Sequence, residues 1–125
     1  MSPRRRLTRA VGALTLLVPT AASALDGATR ADLRDAYYAF EVAGYCSLVT
    51  HAVAAGFQRR VARILEDTDV DRETLDAVRG EAWQAAHWEW QNRGLGGFRG
   101  WCRSEGRAAA EGFLGEPPLS RPESP

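Results

Sequence analysis

The chain has no lysine, one methionine, two histidines and two cysteines, and each shortage narrows what it can do. With only His51 and His87 there is no HxxxH or HExxH spacing, which leaves a metal centre without a ligand set. A Glu-x-x-His pattern is missing too, because Gln84 stands three residues before His87. No Cys-x-x-Cys occurs, so neither covalent haem attachment nor dithiol exchange has its motif. Ser47 and Ser104 lack the G-x-S-x-G setting of an activated nucleophile. In the cluster Gly94-Leu95-Gly96-Gly97-Phe98-Arg99-Gly100, Arg99 stands where a G-x-G-x-x-G loop needs glycine, and a helical segment precedes it. The cluster reads as a turn with small residues for close helix approach. Glu41 with Glu81 or Glu89 would suit acid–base work on a glycan, but carboxylates on helices are usually solvated. No enzyme class is indicated, and no cofactor.

Long apolar runs are also scarce. The longest stretch, Ala10 to Ala24, is interrupted by Pro19 and falls short of the roughly 20 residues a membrane span needs. It has instead the layout of an export signal over residues 1–24. Arg4, Arg5, Arg6 and Arg9 precede an apolar core from Ala10 to Val18, and Ala22-Ser23-Ala24 forms a small-x-small cleavage site before Leu25. Arg4-Arg5-Arg6-Leu7 loosely matches a twin-arginine signal, although an arginine-rich leader more often serves the general route. The expected location is periplasmic or secreted, with no stable membrane span after cleavage.

Removing the leader takes four arginines and no acids, so the remaining chain carries a net charge of about −4. A mildly acidic domain without a basic stripe is a poor match for nucleic acid or for an anionic membrane surface. About 100 residues remain, enough for one domain. Exported thiols tend to pair, and Cys46 with Cys102 is the single intramolecular pairing available. Closing a loop with a separation of 56 contributes about 4 kcal/mol in the chain-entropy model.

What is abundant is helical patterning. No β-branched run alternates with period two anywhere in the body of the chain. The first helix is expected to start near Thr29, with Asp32 three residues on as its capping partner. Leu33, Tyr37, Phe40 and Gly44 form one strip, and Tyr38, Val42 and Tyr45 form a second, so this helix should be contacted on more than one side. Thr50 caps a second helix to about Glu66, with Val53, Phe57, Val61 and Ile64 inward and Arg59, Arg63 and Glu66 solvated. Asp69 or Asp71 caps a third that reaches Asn92, with Leu75, Val78, Ala82 and Ala85 on one face and Gly94 left-handed just beyond. A fourth carries Phe98, Cys102, Ala109 and Phe113. Gly100, Gly106 and Gly112 weaken it unless it packs closely or is stapled through Cys102. From Gly115 the prolines Pro117, Pro118, Pro122 and Pro125 stop any helix. The expectation is an all-α bundle of about four helices over 25–114, after a signal peptide at 1–24. One disulfide and a disordered Pro-rich tail at 115–125 complete it.

The candidate contact residues are concentrated in Trp83-Gln84-Ala85-Ala86-His87-Trp88-Glu89-Trp90. Trp83, His87 and Trp90 fall on one helical face, while Trp101 and Arg99 belong to the next helix. Arg93, Arg99 and Arg103 flank the glycine turn and can meet an acidic partner, a phosphate, or Glu89 and Glu105. Tryptophan usually fills the core of a small domain, and on that reading His87 is merely satisfied. Tryptophan and arginine are also the residues most enriched at binding hot spots. Two functions follow. The first is a non-catalytic accessory, assembly or interaction module that meets another exported protein. The alternative is a binder of a small aromatic or tetrapyrrole-like ligand on the Trp83/His87/Trp90 face.

Overall fold

The structure, a computed structural model, describes residues 15–17 and 25–120. Most of the expected export segment, and the chain beyond residue 120, lie outside that range. Every regular element among the described residues is a helix. Helix α1 spans Gly27–Tyr45, α2 His51–Ile64 and α3 Arg72–Gln91. Helix α4 covers residues 98–114 as three joined parts: an α-turn Phe98–Trp101, a π-turn Cys102–Gly106, and an α-helical end Arg107–Leu114. No helix among the described residues is long and apolar enough to cross a membrane.

The first three helices start at side-chain caps. Thr50 accepts the Val53 amide at 3.2 Å, and Asp71 accepts the Thr74 amide at 2.6 Å. The first helix begins earlier than expected. Asp26 is its cap, taking the Thr29 amide at 2.8 Å and the Thr29 hydroxyl at 2.9 Å, so Thr29 supports a cap that another residue forms. These amide bonds, and next the threonine hydroxyls, hold the Asp26 and Asp71 carboxyls below their ordinary range. Between α3 and α4 the chain turns through Gly94 (φ +66°) and Gly96 (φ +81°), values in the left-handed region that favours glycine.

Helix α1 is the axis of the fold. It packs on α3 along one side and on α2 and α4 along the other, while α2 and α4 also meet each other. On the second side Phe40 stacks on Phe57 at 4.0 Å, and fully buried Phe113 stands edge-on to both. Gly56 makes this approach possible, since a Cβ there would lie 1.9 Å from the Phe113 carbonyl oxygen. On the first side Val42, Ala86 and Trp101 form a smaller core, with Tyr38, Tyr45 and the disulfide packed around it. The bridge joins Cys46 to Cys102 with 5.3 Å between Cα atoms, tying the end of α1 to α4. Gly106 lies directly against it, because a Cβ there would come within 2.7 Å of Cys46 Sγ. The glycine that weakens α4 as a helix thus permits its closest contact.

Contacts continue past Leu114 into the segment whose composition reads as tail. Glu116 pairs with Arg60 at 2.8 Å and with Arg63, and its carbonyl accepts from Arg59 at 3.1 Å. Arg63 also donates to the Pro117 carbonyl at 2.9 Å. Arg59 and Arg63, expected on a solvated face, are therefore held by residues 116 and 117. Sequence periodicity does not register a partner more than fifty positions away.

Candidate functional site

The residues that α3 turns towards α1 are small. Val78, Ala82 and Ala86 are fully buried, and they bring the two backbones close. A gap lined by such residues has no room for an indole, so the large rings of α3 are displaced to its flanks. Trp83, Trp88 and Trp90 are 47%, 66% and 41% exposed, which overturns the expectation that the tryptophans fill the core. Only Trp101 does that, at 2% exposure. It is therefore removed from the contact surface. Its Nε1 donates to Glu105 at 2.6 Å, and the Arg93 guanidinium lies 5.0 Å from its ring centre while pairing with Glu89 at 2.7 Å. Arg99 is exposed at the start of α4 and takes no part in the ring contacts of α3.

Trp83, His87 and Trp90 do share a face, and the structure adds a fourth member from α1. Trp83 stacks on His87 with centroids 4.9 Å apart and planes 12° from parallel. His87 is 5.9 Å from Trp90, which stacks on Tyr45 at 5.3 Å. The Tyr45 hydroxyl lies 2.7 Å from His87 Nδ1. Desolvation, and secondarily the Glu41 carboxylate, push the Tyr45 phenol above its ordinary value. The Tyr45 hydroxyl and the His87 ring nitrogen are joined by one hydrogen bond across the α1–α3 seam. Four rings are held together on one face by stacking and by this bond. Tyr45 is half-buried and escaped sequence reading because it sits 42 positions from His87 on another helix. Its place in the second apolar strip of α1 was the available signal.

The row stands on the surface, with Trp83 and Trp90 exposed. Trp88, on the other flank, borders a shallow groove of about 370 Å³ with Arg34, Asp35, Tyr38, Ala85 and Glu89. That groove and four others between the helices share no residue with Trp83, His87 or Trp90. Leu95 and Phe98 in the following turn are exposed as well, so apolar surface continues from the end of α3 into the start of α4. Among the described residues no group of three or more histidine, cysteine or acidic side chains converges as a metal site. Comparison with known proteins gives no match: no family model, curated protein or solved structure aligns significantly with the chain.

Proposed function

We propose that the chain is an exported, non-catalytic interaction module whose contact surface is the Trp83/His87/Trp90 face with Tyr45. One observation carries the reading: three of the four tryptophans stand outside the core on the one helix that packs mainly against α1. Leaving such rings in water forfeits roughly 2–3 kcal/mol each that burial against a partner would recover. The rings are also pre-ordered by stacking and by the Tyr45–His87 bond, which lowers the entropy lost on docking. A macromolecular surface suits a row of rings that no groove encloses better than a small ligand does. The disulfide supports an oxidising compartment, in keeping with the leader-like segment at 1–24.

The test is affinity capture from the native exported fraction with the wild-type chain and with W83A/W90A, each checked by circular dichroism and thermal melting. A partner held by the wild type and lost by an equally folded variant supports the proposal. The same proteins recovered by both would end it.

A further inference from the structure

Most arginines of this domain are neutralised internally. Seven of the eleven described ones pair with carboxylates, and Arg59 donates to the Glu116 carbonyl. The three left without an ion pair among the described residues are Arg99, Arg103 and Arg107, all exposed and all on α4. They recur every fourth residue, which places successive guanidinium groups on neighbouring turns of one side. The domain thus carries a local basic stripe, contrary to the expectation drawn from its net charge. Glu105, the nearest acid in sequence, is engaged by Trp101 Nε1. Arg103 and Arg107 also border a groove of about 270 Å³ whose floor is apolar: the Cys46–Cys102 bridge, Leu48 and Ala110. Glu111 also lines it and forms no ion pair with Arg107.

We propose that this stripe and groove form a second binding surface, separate from the aromatic face, that takes an acidic peptide segment of another polypeptide. The cations would meet carboxylates spaced one helical turn apart, and an apolar side chain between them would rest on the disulfide. Charge complementarity selects this occupant, because a cationic stripe on a net acidic domain attracts a local anionic partner. The same net charge repels an extended anionic bilayer, and the apolar part of the site is recessed, so it cannot reach into a lipid interface.

The probe is a fluorescein-labelled, alanine-based peptide with glutamate at every fourth position and one central leucine. Its binding to the full chain, disulfide intact, is followed by anisotropy at low and roughly physiological ionic strength. Saturable binding is expected, weakening with salt, absent for the lysine-substituted peptide, and about tenfold weaker for R103Q/R107Q. Both arginines are exposed, so the variant should melt like the wild type. W83A/W90A should bind the peptide normally, which separates this surface from the aromatic one. No binding by the wild type, equal binding by R103Q/R107Q, or cosedimentation with phosphatidylglycerol vesicles in place of peptide binding would each overturn the proposal.

Discussion

On one side of α1, Phe40, Phe57 and Phe113 interlock at ring distances of 4.0 to 6.2 Å, and Phe113 has no exposed surface. On the other side, Trp83 and Trp90 stack just as tightly with His87 and Tyr45, yet each keeps two-fifths or more of its surface in water. The stacking is similar and the burial is not. On the phenylalanine side three helices converge, with Gly56 letting α4 approach α2, so each ring is covered from several directions. On the tryptophan side alanines fill the seam between α1 and α3, and α4 adds only Trp101 near Ala86, so the flanks of α3 stay uncovered. Aromatic contact alone therefore does not make a core; the number of helices that meet around it does. One cluster is buried in the core, and the other keeps its rings open to solvent.

That contrast can be broken experimentally, beginning where the effect is largest. Replacing both cysteines by alanine, or reducing the bridge, should destabilise the chain by about 4 kcal/mol in urea denaturation, because the crosslink fastens α1 to α4. Phe113→Ala should cost about 3–4 kcal/mol by the same measure and leave partner capture intact in whatever fraction stays folded. Glu116→Ala removes the carboxylate that pairs with Arg60 and Arg63 and should cost about 1–2 kcal/mol; an unchanged midpoint would show that these ion pairs add nothing to the fold. Trp83→Ala should move stability by less than about 1 kcal/mol while abolishing capture, the reverse of Phe113→Ala.

The smallest effect concerns acid. The Asp26 and Asp71 carboxyls are held below the ordinary value of 3.8, so the cap bonds contribute fully above that value. Their contribution fades as pH falls through the lowered value. Amide exchange at Thr29 and Thr74 should therefore lose protection on acidification before the helix centres do. Uniform loss along each helix would mean that the caps carry no separate share.

Much of the architecture is legible one helix at a time. Thr50 and Asp71 are recognisable caps because their side chains act on amides three residues away. Cys46 and Cys102 had one possible mate each. Gly94 adopts the left-handed geometry expected just beyond α3. The site was legible only in part. Trp83, His87 and Trp90 share a face as their spacing requires, but Tyr45 joins them from α1, and Trp101 leaves them for the core.

The amino-acid order by itself determined the helices, the caps Thr50 and Asp71 and the one covalent bond, since each depends on neighbours within a turn or on a pairing without rivals. For the start of α1 it points to Thr29, where the cap is Asp26 instead. Only the tertiary structure decided which rings are dry, which arginines are spoken for, and that Glu116 folds back on α2. Those outcomes depend on how many helices cover a given face, and periodicity along one helix carries no record of that number.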